Sequence, residues 1–146
     1  MSRRRILRFG ALRGATIALA FACASPVPGA IAYGVDSCAY CRMLIADERF
    51  AGVALTVKGR TIKFDSIECL VAYLHEHDAA HTIASVWVSN FRSPGIMLDA
   101  SRARFVDLGA GRAPMGRGWV ALASPRDAAA LGVIDAGAIK HWTDLQ

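Results

Sequence analysis

Residues 50–77 read "FAGVALTVKGRTIKFDSIECLVAYLHEH" and change periodicity part-way. "FAGVALTV" (50–57) and "RTIKFD" (60–65) are rich in apolar and β-branched residues, and Lys58-Gly59 between them is a turn pair. They predict two strands of a hairpin. Beyond Asp65 the pattern becomes helical: Ile67, Leu70, Val71 and Leu74 fall at i, i+3, i+4 and i+7, one apolar face. Asp65 is a good N-cap, and Glu68 three residues on has capping-box spacing. "TIASVWVSN" (82–90) then alternates as a strand. The predicted order is strand, strand, helix, strand.

The remainder repeats part of this order. "RARFVDL" (102–108) predicts a strand, "GAGRAPMGRG" (109–118) a Gly- and Pro-rich loop, and "GWVALAS" (118–124) a second strand. Ser124 is an N-cap with Pro125 at the first helical position and Asp127 three residues on. Gly132 stops that helix, and a last helix is expected from about Asp135 to Trp142. The fold class expected is α+β, with two small related units packed together. Residues 33–92 form the first and 93–146 the second, with a linker near "NFRSPG" (90–95). A single compact domain over 33–146 is the alternative.

Residues 1–32 stand apart. Arg3, Arg4, Arg5 and Arg8 precede an Ala-rich apolar stretch, then Pro26, Pro28 and the small-residue pattern Ala30-Ile31-Ala32. These are the three regions of a secretory signal peptide. "SRRRILR" also fits a twin-arginine export signal. "AFAC", ending at Cys23, offers a second processing reading in which Cys23 becomes a lipid anchor. The expected location is the periplasm, free or membrane-anchored. All five surplus positive charges lie in this leader, leaving twelve Lys+Arg and twelve Asp+Glu in 33–146. A neutral mature chain has no basic footprint for nucleic acid.

Three cysteines remain after the leader: Cys38, Cys41 and Cys69. Export implies an oxidising compartment, where thiols pair, and three cannot all pair within one chain. A Cys38–Cys41 disulfide is one reading. A catalytic redox pair should open a helix, which lowers the thiol pKa, but "MLIADERFAG" (43–52) makes no capped amphipathic helix. Structural zinc wants four Cys/His ligands. There is no second Cys-x-x-Cys, and His75, His77 and His81 read as solvated helix-end residues.

Met43 adds a thioether. If residues 41–43 are extended, Cys41 and Met43 point to the same side, and Cys38 can join them through a turn. Two thiolates and a thioether form a soft set that selects Cu(I). The competing reading of Met43 is core packing. Cys69 lies about 150° from the centre of the apolar helix face, so it faces either the Cys38–Met43 segment or solvent. Met115, flanked by small residues in the 109–118 loop, can swing a thioether over a metal or fill a surface gap.

"DSCAYCRM" (36–43), "KFDSIECLVAYL" (63–74) and "APMGRGWVALASPRDAAAL" (113–131), in that order, resemble the NosL family of accessory proteins in nitrous oxide reductase maturation. The resemblance spans nearly the whole mature chain. It implies two related ββαβ-type units, similar to part of organomercurial lyase. It also implies an exported, often lipid-anchored Cu(I) metallochaperone rather than an enzyme. The implied partner is nitrous oxide reductase or its membrane-associated maturation machinery. Carried over by motif, Cys41 and Met43 are the primary copper ligands, with Cys38, Cys69 and Met115 as supplementary candidates. Arg42 departs from the family, which has Gly there, and a positive φ would strain it. The competing function classes are a periplasmic thiol–disulfide oxidoreductase using Cys38 and Cys41, and a mercury-binding protein.

Overall fold

The computed structural model describes residues 28–77 and 79–146, so the leader up to residue 27, with its arginines and Cys23, lies outside the described residues. No helix among the described residues is long and apolar enough to cross a membrane. The chain is α+β, and its four strand pairs among the described residues are antiparallel. Strands β1 (Gly52–Thr56) and β2 (Thr61–Phe64) form the expected hairpin, followed by helix α1 (Ile67–Glu76) and strand β3 (Ile83–Ser89). Strand β4 (Met97–Asp99) completes a four-stranded sheet of order β2-β1-β3-β4. Strands β5 (Arg104–Asp107) and β6 (Trp119–Leu122) make a second sheet, and helix α2 (Pro125–Ala130) follows.

β1 is central and apolar on both faces, so Gly52, Val53, Ala54 and Leu55 are all buried. α1 packs on one face, close enough that a Cβ on Gly52 would lie 3.0 Å from Leu70 Cδ2. Only glycine admits that approach without a shift. Ile67 and Leu70 are fully buried there with Ala54, Phe64 and Val88. Burying each large apolar side chain contributes about 1.5–3 kcal/mol, so this face holds the first unit together.

The small sheet lies between two cores. Phe105 and Ala121 pair across one face and join the first core with Trp142. Val106, Val120 and Leu122 on the other face pack with Ala128 of α2 and with Phe50. An isolated parallel bridge, Asn90 to Ala121, ties the end of β3 to β6.

Three local expectations are corrected. The last helix is absent: two 3-10 turns, Ala136–Ala138 and Trp142–Asp144, flank Lys140, which exchanges backbone hydrogen bonds with Phe105 (2.9 and 2.8 Å). Pairing with β5 supplies more than a short isolated helix offers. Residues 90–95 do not form a linker. They turn β3 back into β4, closed by Asn90 N–H to Ile96 C=O at 2.8 Å, with Gly95 at φ +84° after Pro94. Finally, Ser66 and not Asp65 caps α1, its Oγ accepting from the Cys69 N–H at 3.2 Å. Glu68 makes no capping box; its Oε1 accepts from the Trp119 N–H at 3.2 Å.

The repeat is visible in the pairing. β1 lies between β2 and β3; β5 lies between β6 and the bridge at Lys140. Each unit therefore runs hairpin, helix, returning strand, the last reduced in the second unit to one bridge.

Candidate metal centre

The loop before β1 is built by backbone pairing. Ser37 and Leu44 form an antiparallel bridge, the Cys38 N–H donates to Met43 C=O (2.8 Å), and the Arg42 N–H donates to Cys38 C=O (3.1 Å). The turn is fastened to β2 by the Ala39 N–H on Lys63 C=O (2.9 Å) and by the Asp36–Lys63 ion pair (2.6 Å). Its far side is tied to the end of α1 by the Tyr40 hydroxyl donating to Glu76 (2.6 Å). Arg42 adopts φ +68°, the one positive φ at a non-glycine among the described residues. The left-handed conformation costs an L-residue roughly 1–2 kcal/mol, so the turn keeps a shape that suits glycine while carrying arginine.

Because Arg42 is left-handed, residues 41–43 are not extended, and strand alternation does not bring Met43 beside Cys41. Met43 is 49% exposed and Met115 39% exposed. Neither thioether is a core residue.

The three cysteines do converge. The sulfurs of Cys38, Cys41 and Cys69 and a carboxylate oxygen of Asp65 all lie within 4.8 Å of one another. Cys38, Asp65 and Cys69 are buried; Cys41 is half-buried. All three thiols are free. The Cys69 position follows from the cap: with Ser66 as N-cap, Cys69 is the third helical residue, and the Cys38–Cys41 turn packs over it. Of the two orientations open from the helical wheel, the structure has Cys69 facing the turn.

The electrostatics separate the thiols. A hydrogen bond from Cys69, with backbone N–H groups of Asp65, Cys41 and Tyr40, lowers Cys38 to about 6 against the opposing cost of burial. The same bond, followed by burial, pushes Cys69 far up. Burial is the main cause that raises Cys41. Cys38 is thus the most readily ionised of the three, with N–H and S–H donors around its sulfur, and ionisation of the other two is opposed.

Asp65 is the member that sequence reasoning missed. Its Oδ1 accepts from the Cys41 thiol at 3.5 Å, while its Oδ2 is buried with no hydrogen-bond partner among the described residues. The signal was the Asp65-Ser66 pair: either residue can cap, and if Ser66 does so, Asp65 is released to point elsewhere. Three other carboxylates near the turn are committed elsewhere: Asp36 to Lys63, Asp47 to Arg49 and Glu76 to the Tyr40 hydroxyl (2.6 Å each). No histidine enters the cluster. His77 stacks on Tyr73 at 4.0 Å at the exposed end of α1.

Met115 lies in a loop closed by Gly111 N–H on Gly116 C=O (2.9 Å) and Ala113 N–H on Arg117 C=O (2.8 Å). The end of that loop is joined to the first turn of α1 through the Trp119–Glu68 bond.

The model of the NosL family matches residues 32–146. The chain belongs to the NosL family. It is similar to the crystal structure of the copper chaperone NosL from Shewanella denitrificans, with a TM-score of 0.67 and 22% sequence identity. That match covers 82% of this chain and 96% of the other. At this identity the likeness is one of fold. A search of curated proteins gave no match. Within the NosL fold, the centre lies where the loop before β1 meets the start of α1.

Proposed function

We propose that this NosL-family protein is a metallochaperone that carries Cu(I) and hands it on without chemical conversion. The observation that carries this reading is the convergence of three free cysteine sulfurs, two buried and one, Cys41, half-buried. Thiolates are soft donors that select Cu(I). A cargo metal must also leave, and a sulfur reachable from outside permits ligand exchange with a partner. Cys41 is that sulfur, and Cys38, the most readily ionised of the three, is the inner anchor. The exposed Met43 and Met115 are proposed as outer thioethers that meet Cu(I) as it enters or leaves. Family membership supports delivery to nitrous oxide reductase or its membrane-associated assembly machinery, in the periplasm, from a free form or one anchored at Cys23.

An oxidoreductase is less well supported. Cys38-x-x-Cys41 opens no helix, and two of the carboxylates near the turn, Asp36 and Asp47, are held in ion pairs. The test is anaerobic titration of the reduced protein with Cu(I) against a competing chelator. Tight binding is expected, together with transfer to the recipient that stops when a dialysis membrane separates the two proteins. Binding no tighter than to a cysteine-free variant would overturn the reading, and transfer at an equal rate through the membrane would refute direct handover.

A further inference from the structure

The copper reading makes no use of Arg42. Its backbone is left-handed, φ +68°, a cost that glycine would avoid, and its side chain is exposed. Strain kept at the surface beside a functional sulfur points to a use for the side chain.

Arg42 and Arg60 line one recess of about 350 Å³, whose other walls include Tyr40, Tyr73, Glu76 and His77. Those walls are braced. The Tyr40 hydroxyl donates to Glu76 at 2.6 Å, and His77 stacks on Tyr73 at 4.0 Å. Glu76, the one acid in the lining, is thus engaged. Neither arginine forms an ion pair among the described residues, whereas Arg49, Lys63 and Arg92 each do. Two unpaired guanidinium forks in one recess suit carboxylates, which such forks bind bidentately.

The recess adjoins the exit sulfur, since Tyr40 and Arg42 flank Cys41 in the chain. Met43 and Leu44 follow, 49% and 57% exposed. Arginine and methionine beside exposed apolar surface are the composition of a protein interface, not of a solvated charged face. A lipid surface is read by clusters of about four to eight cations. Arg42, Arg60 and the exposed Lys58 of the same hairpin turn are fewer.

We propose that this recess docks an acidic segment of the protein that takes the metal from Cys41, with Arg42 and Arg60 holding its Asp or Glu carboxylates. Residues 33–146 carry equal numbers of acids and bases, so the attraction is local and sets the partner beside Cys41. The purpose of docking rests on the metallochaperone reading; carboxylate recognition stands without it.

The experiment titrates reduced, metal-free full-length protein with a capped hexaglutamate peptide, followed by backbone amide NMR. Shifts are expected at Ala39, Arg42, Arg60 and His77, which belong to the recess. Arg42→Gly with Arg60→Gln should weaken binding by about tenfold or more, while Arg112→Gln with Arg126→Gln, an equal loss of exposed charge elsewhere, should change it by less than about twofold. The hydrogen bonds of Arg60 with Thr56 run through its backbone and survive the substitution. A hexaglutamine peptide needs no variant: it should leave the same amides unmoved in the wild type, and equal shifts overturn the proposal. Shifts confined to other parts of the chain, or an equal loss in both double variants, overturn it too. So does binding of phosphatidylserine vesicles at these amides in place of the peptide. Peptide binding without Cu(I) binding sinks the copper role and spares the docking site; Cu(I) binding without peptide binding does the reverse.

Discussion

Phe64-Asp65-Ser66 leads into α1 and Leu122-Ala123-Ser124 leads into α2, and the two stretches share one frame. Phe64 and Leu122 are fully buried at the ends of their strands. Ser66 and Ser124 are both N-caps with nearly identical backbone angles, φ −149° and −152°, ψ 161° in each. The residue before the cap is a buried Asp in one unit and an exposed Ala in the other. Three residues after the cap stands Cys69 in one and Asp127 in the other. The Ser66 side chain accepts from the Cys69 N–H, whereas the Ser124 side chain accepts from no helix N–H and donates to the Asp127 carboxylate at 2.8 Å. The second unit shows this junction as ordinary structure, with a carboxylate near a helix N-terminus. The first keeps the frame and carries there two members of the Cys38–Cys41–Asp65–Cys69 cluster, Asp65 before the cap and Cys69 after it.

Exchanging those positions should break the symmetry most. Cys69→Ser should lower Cu(I) affinity by about a hundredfold, while Asp127→Ala leaves it unchanged; competitive titration of both variants checks this. If Asp127→Ala weakens binding equally, the second unit is part of the site.

Next in size is the pH dependence that only the first unit carries. Cys38 is lowered from 9.0 to about 6. A folded value below the unfolded one adds stability that is fully present above the unfolded pKa and lost as pH falls through the folded one. Cys41 and Cys69 are raised and act above that window. Reduced, metal-free protein should therefore gain resistance to urea between pH 6 and 8, and Cys38→Ser should flatten the curve.

The caps themselves should differ. Ser66→Ala should cost about 1–2 kcal/mol and Ser124→Ala about 0.5 kcal/mol, because only Ser66 satisfies a helix N–H. Equal costs in denaturant titration would mean that the two caps work alike. Smaller still, Arg42→Gly should stabilise the protein by roughly 1 kcal/mol through relief of the left-handed strain, read as a raised urea midpoint with Cu(I) affinity unchanged.

Periodicity made the first unit legible: the hairpin, α1 and β3 lie where alternation and the i, i+3, i+4 pattern place them. Composition alone could not show that Lys140 prefers a strand partner to a helix, since the gain comes from Phe105, thirty-five residues away in sequence. The three cysteines were legible as donors because three thiols in a chain whose leader reads as an export signal cannot all pair. Their common centre depended on how the Cys38–Cys41 turn packs on α1, a long-range contact. Asp65 was hidden by a local ambiguity, two adjacent residues able to cap one helix. Met43 was placed by assuming extended backbone at Arg42, which the left-handed turn replaces.

X-ray absorption at the copper edge of Cu(I)-loaded protein, recorded for wild type and Cys69→Ser, most directly tests whether the junction of the Cys38–Cys41 turn with α1 holds the cargo. A sulfur shell around copper that loses one scatterer in the variant is the predicted result. A shell of nitrogen or oxygen, or one left intact by Cys69→Ser, would contradict it.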